Sequence, residues 1–150
     1  MICRYFSPKY FLMKNHALKS ELELIVEVAK SWNNLNVSYI QSLLIPDFRY
    51  TSQWVFEEMC GSENYIEYLS LKFIKIKEGI EKRGDKITAE IGYCTTWKIG
   101  KPCIVLTQYS EGVARPATLL IESENGLITR IDLCGIPEPE TAKLTGNIPT

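Results

Sequence analysis

Histidine is almost absent from this chain: His16 stands alone among 150 residues. Most general acid–base pairs and many zinc sites use imidazole, so both kinds of chemistry start at a disadvantage. His16 itself reads as an exposed histidine close to a helix start. Cysteine offers no substitute cluster. The five cysteines stand at 3, 60, 94, 103 and 134, with no C-x-x-C pair among them. An odd, scattered set predicts reduced, partly buried thiols and no metal site. A net charge of -1 leaves no surplus of positive charge to recruit nucleic acid or an anionic membrane. Apolar runs stay well short of the roughly 18 residues that a membrane helix needs. Tyr10-Phe11-Leu12-Met13 is shorter than the signal-peptide core of about 7–15 residues. The expectation is a cytoplasmic protein without cofactor, metal, nucleic acid or membrane partner.

What is present suits one domain: an apolar share of 45% in 150 residues is enough for a single core. Residues 1–19 show no period and form an N-terminal arm. Met13 offers a second translation start within it, which would make residues 1–12 an upstream extension. Ser20-Glu21-Leu22-Glu23 fits a capping box, and Leu22, Ile25, Val26, Ala29 and Asn33 then repeat at helical spacing with Trp32 at the edge. Asn33-Asn34-Leu35-Asn36 ends that helix. Asn36 can cap a second, short helix presenting Val37, Ile40, Leu43 and Leu44, which Pro46 stops.

The stretch 46–56 predicts the first strand. Tyr50, Ser52, Trp54 and Phe56 share one face of it, and Thr51, Gln53 and Val55 share the other. A third helix starts at Gly61 or Ser62, with Tyr65, Ile66, Leu69, Phe73 and Ile76 on its apolar face. Lys72, Lys75 and Lys77 lie off that stripe and read as a solvated face. From Gly84-Asp85 the period becomes two. One strand runs through Ile99, a turn follows at 100–102, and a second strand covers 103–110. A loop is expected over 112–116. Two last strands flank the Asn125-Gly126 hairpin signal and end near Gly135, before a loose tail over 136–150. Helices followed by antiparallel strands predict an α+β cone, with a curved sheet wrapped around the helices.

That order, with particular words in particular places, resembles the nuclear transport factor 2-like superfamily, the ketosteroid-isomerase-like or SnoaL-like cone fold. The words are residues 28–36 at the helix-to-helix corner, Leu43-Leu44-Ile45-Pro46-Asp47-Phe48, Gly61-Ser62-Glu63-Asn64-Tyr65 with Ile66 to Leu69, and Asn125-Gly126-Leu127-Ile128-Thr129-Arg130-Ile131-Asp132. The resemblance covers residues 20–135. Residues 50–56 resemble a bacterial branch of the superfamily to which no activity attaches. The resemblance implies a cavity between sheet and helices and, often, a homodimer through the outer sheet face. Apolar residues on both faces of 103–110 agree with such a dimer. It implies no single function, because the fold hosts isomerases, dehydratases, cyclases, epoxide hydrolases and binding modules.

Two kinds of site follow. Tyr50, Ser52, Trp54, Tyr93 and Gln108 combine aromatic walls with neutral polar groups, which suits a pocket for a neutral, partly apolar molecule. An enzyme would need a carboxylate. Asp47 stands where an isomerase base could sit, beside its plainer reading as a turn aspartate. Arg130 and Asp132 share one strand face, as in epoxide-hydrolase members of the fold, and would need Glu90 or Glu122 as a second acid. Their plainer reading is a surface ion pair. A cavity wall without a carboxylate favours binding, and a carboxylate inside it favours catalysis.

Overall fold

The computed structural model describes residues 18–53 and 57–150. His16, Cys3, the choice of start at Met13 and the strand positions Trp54, Val55 and Phe56 lie outside the described residues. Ser20 opens helix α1 (Glu21–Asn34). Its Oγ accepts from Glu23 N at 3.1 Å, and Glu23 Oε1 accepts from Ser20 N at 3.0 Å, so the expected capping box closes. The buried stripe is rotated from the expected one. Leu24, Ile25, Val28, Ala29 and Trp32 face the core, while Leu22 is exposed. Leu35 takes a left-handed conformation, φ 50°, and ends the helix.

No second α-helix forms. Asn36 caps one 3-10 turn (Val37–Tyr39), and a second follows (Gln41–Leu43). Strand β1 (Leu44–Ser52) starts at once, with Pro46 inside it. Proline is tolerated there because the pairing with the strand Leu127–Cys134 shifts register between Leu44 and Arg49. A two-residue strand, β2 (Met59–Cys60), folds back antiparallel on β1. Helix α2 (Ser62–Arg83) buries Tyr65, Leu69, Phe73 and Ile76 and stops at Gly84. Four longer strands follow: β3 (Lys86–Tyr93), β4 (Pro102–Ser110), β5 (Val113–Glu124) and β6 (Leu127–Cys134).

β3 is shorter than the alternating pattern suggests. Lys98 and Gly100 adopt positive φ, and the Cys94 N–H donates to Lys101 O, which closes a loop around Trp97 and Ile99. Ile99 is left 81% exposed. β5 is longer than expected. Glu111 and Gly112 both have positive φ (53° and 76°), making a two-residue turn, and residues 113–116 join the sheet. With a last short strand β7 (Lys143–Leu144), the sheet order is β2-β1-β6-β5-β4-β3-β7, antiparallel except for the parallel β1–β6 pair. The architecture is the α+β cone, a curved and unclosed sheet around helices.

The inner sheet face carries Phe48, Tyr50, Ala89, Ile91, Ile104, Leu106, Leu119, Ile121, Ile131 and Leu133 against the helices. A register shift between Glu122 and Ser123 turns Ile128 into the core, where strict alternation would place Leu127.

The tail is not loose. Strand β7 (Lys143–Leu144) pairs with Gly92 and Tyr93 of β3. Thr145 N donates to Ile91 O (3.1 Å), and Ile91 N donates to Asn147 O (2.9 Å). Asn33 of α1 joins both: its Nδ2 donates to Ala89 O and Pro149 O, and its Oδ1 accepts from Ala89 N. Edge-strand groups that would face water are thereby satisfied. Across the outer face, Thr118 Oγ1 donates to Pro137 O (2.7 Å), and Ala142 packs on Cys94, Cys103 and Leu120. A Cβ on Gly92 would lie 3.1 Å from Lys143 O, so a side chain there would press on the tail. Truncation after Gly135 is expected to cost at least about 2 kcal/mol in urea unfolding, because it uncovers this apolar patch. An unchanged midpoint would contradict the docked tail.

Candidate functional site

The hairpin extension creates the site. β5 pairs with β6 only from Thr118 onward, so Arg115, Pro116 and Ala117 project past β6 while remaining paired with β4. Within that pairing Gln108 faces Arg115 and Leu106 faces Ala117. Ser52 and Leu133, partners across β1 and β6, supply the adjoining wall. Trp32 from α1, with Tyr68 and Lys72 from α2, closes the helix side. The cavity so enclosed measures about 300 Å³. That is the lower end of the range for small-molecule sites.

Trp32 is 3% exposed, and its indole packs edge-on against Phe73 at 5.0 Å between centroids. Its Nε1 is buried without a hydrogen-bond partner. Lys72 Nζ stands 5.7 Å from the Trp32 ring centre and 5.8 Å from that of Tyr68. Behind the wall, Tyr50 stacks at a tilt on Tyr65 (4.9 Å) and Tyr68 (5.6 Å). The Tyr50 hydroxyl is hydrogen-bonded to Ser52 and Tyr68, so it supports the cavity from the core side. Burial, then the neighbouring Tyr68, pushes the Tyr50 hydroxyl far above its usual range; burial does the same to Tyr65. Both stay protonated at any physiological pH. Among the described residues, no carboxylate lines the cavity.

Of the residues the sequence singles out, the structure brings Ser52 and Gln108 into the wall and Tyr50 directly behind it. Tyr93 is not among them. The β3–β4 register sets Ile87 opposite Gln108 and Tyr93 opposite Pro102, six residues further on. At about 3.3 Å per residue, Tyr93 stands about 20 Å away along the sheet. Trp54 lies outside the described residues. Asp47 is not part of the wall, although its Oδ1 is buried and unpartnered.

Arg130 and Asp132 lie on the outer face, since Ile131 and Leu133 between and beside them fill the core. Arg130 Nε donates to both Asp132 oxygens at 3.0 Å, and Nη1 to Glu58 Oε2 at 2.7 Å. The Thr51 hydroxyl donates to Asp132 Oδ1. Burial opposes the Arg130 charge, but the bonds to Asp132 and Glu58 outweigh it and raise its pKa. Glu58, just before β2, is the second acid beside them, rather than Glu90 or Glu122.

Trp32, Tyr68, Lys72 and Arg115 are the wall residues that a sequence reading passes over. Lys72 looks like one of a solvated lysine set. Arg115 falls in an apparent loop, and only the Glu111-Gly112 pair, suited to a turn with two positive φ values, signals that the strand resumes at Val113.

The thiols add no nucleophile. Cys94, Cys103 and Cys134 are free as expected, while Cys60 is disulfide-bonded, against expectation. Burial, followed by the neighbouring Cys94, pushes Cys103 up to about 12. Burial, followed by Asp132, pushes Cys134 up to about 11. At pH 8 a thiol of that pKa is ionised to only about one part in a thousand. Cys103 is fully buried, so its labelling by a disulfide reagent at pH 8 is expected to follow global unfolding. Rapid labelling of Cys103 in the native protein would contradict its burial.

No protein-family model matches the chain, and no curated protein does. Solved structures do. A nuclear transport factor 2-like protein of unknown function from Cytophaga hutchinsonii is 17% identical, with a TM-score of 0.53 over 81% of this chain and 96% of its own. A candidate polyketide cyclase from Pseudomonas putida is 12% identical, with a TM-score of 0.52 over 85% and 99%. A candidate ketosteroid isomerase from Kribbella flavida is 13% identical, with a TM-score of 0.52 over 73% of each chain. These likenesses define the class: the chain has the nuclear transport factor 2-like cone fold. At such identities they carry the fold and no activity.

Proposed function

We propose that this chain is a binding module that holds a small, partly apolar molecule in the cavity between Trp32, Tyr68, Gln108 and Arg115 and does not transform it. The observation that carries the reading is a wall of rings, aliphatic groups and hydrogen-bond donors with no carboxylate among its described residues. Proton abstraction next to a carbonyl, the chemistry of an isomerase, needs a base within reach of the substrate. Asp47 stands outside the wall, and the buried tyrosines hold their protons.

A second reading puts lyase or hydrolase chemistry at Arg130 and Asp132. It is favoured by one observation: Asp132 borders an outer groove of about 650 Å³ together with Thr51, Trp97 and Glu138. Against it, Arg130 and Thr51 already occupy the Asp132 oxygens. A homodimer remains part of the proposal. It would use the outer surface that the tail leaves open, because Cys103 and Val105 are buried within the chain.

With Trp54→Phe and Trp97→Phe, Trp32 becomes the single indole reporter. Titration with a panel of mono- and bicyclic aromatic and terpenoid compounds is expected to change its emission saturably. Ala117→Phe, which fills the cavity, should abolish the change, and the bound compound should be recovered unaltered by mass spectrometry. Turnover of the compound, or a response that Ala117→Phe leaves intact, would contradict a passive cavity.

A further inference from the structure

We infer that the cavity is selective for organic acids: compounds with a one- or two-ring apolar body ending in a carboxylate. The inference rests on the binding reading above and names its ligand class. The sequence alone points to a neutral ligand, because Ser52, Tyr50 and Gln108 bring no charge. The folded wall adds Lys72 from the helix side and Arg115 from the sheet side.

Arg115 is unusual in this molecule. Among the described arginines, Arg49, Arg83 and Arg130 each pair with an acidic side chain, while Arg115 has no ion pair. Its β4 neighbour is Gln108, a group that offers amide donors and no charge. Lys72 likewise has no carboxylate partner among the described residues, and sits over two rings instead. The other described arginines are neutralised by acids; here two cations line one cavity with no acid among the described residues of its wall.

Trp32 supplies an independent observation. Its side chain is almost wholly buried, it lines the cavity, and its Nε1–H has nothing to bond. A buried donor without an acceptor is unfavourable and rare in native proteins. The indole can only donate, so the missing partner is an acceptor. A carboxylate meets all these requirements: two acceptor oxygens, one negative charge, and a planar shape that matches a guanidinium fork. The rest of the wall, Leu106, Ala117 and Leu133, suits a hydrocarbon body, and about 300 Å³ holds one or two rings.

Calorimetric titration of the full chain with 2-naphthoate and with 2-naphthamide tests the inference, since the two share a shape and differ in charge. The carboxylate is expected to bind at least about tenfold tighter, as charge-assisted hydrogen bonds exceed neutral ones. Arg115→Gln should remove most of that preference and leave the amide affinity within about twofold; Arg115→Lys should restore part of it. Equal binding of acid and amide to the unaltered chain would overturn the acid selectivity and leave the binding reading intact. Failure of both compounds to bind at millimolar concentration would overturn the two together.

Discussion

The edge-on contact between Trp32 and Phe73 holds the site together. It joins α1 to α2. Each helix reaches that contact with an apolar stripe already buried: Leu24, Ile25, Val28 and Ala29 on one, Tyr65 and Leu69 on the other. Aromatic pairs of this geometry are worth about 0.5–1.5 kcal/mol beyond their buried area. The Trp32 Nε1 is left buried and unpartnered, and Lys72, one residue before Phe73, stands above the ring. Packing therefore sets the chemistry of the cavity.

The sheet divides its labour by face. Inward positions are mostly apolar, and the wall becomes polar at Ser52, Gln108 and Arg115. Outward positions hold the ion cluster of Glu58, Arg130 and Asp132 at one side and an apolar patch of Cys94, Cys103 and Leu120 at the other. The tail covers that patch and, through Asn33, is bonded back to α1. Part of the outer sheet face is thus covered by the chain's own tail.

Much of the fold was legible in the sequence. Period-two alternation marked the strands, Ser20 and Glu23 marked the start of α1, and Asn125-Gly126 marked the last hairpin. The errors have local causes. Pro46 looked like a helix stop, but a register shift admits it to β1. Pro116 looked like a loop residue, but it lies past the end of β6, where it interrupts no pairing with that strand. Ile128 and Leu127 exchanged roles because a bulge breaks the alternation. The tail showed no period because its order comes from single hydrogen bonds to β3 and Asn33, which leave no pattern in sequence. The site was legible in part for a related reason. Ser52 and Gln108 sit on regular strands, so their faces follow from counting. Trp32, Lys72 and Arg115 reach the same cavity from three elements, and only the packing of those elements makes them neighbours.

The indole N–H of Trp32 gives the most direct measurement. In a proton–nitrogen correlation spectrum, with indole signals assigned by Trp54→Phe and Trp97→Phe, 2-naphthoate is added stepwise to the folded chain. The account predicts that the Trp32 Nε1–H signal moves downfield and saturates, as a free donor acquires an acceptor, while the Trp97 signal stays in place. A Trp32 signal that does not move while the compound binds would contradict the account.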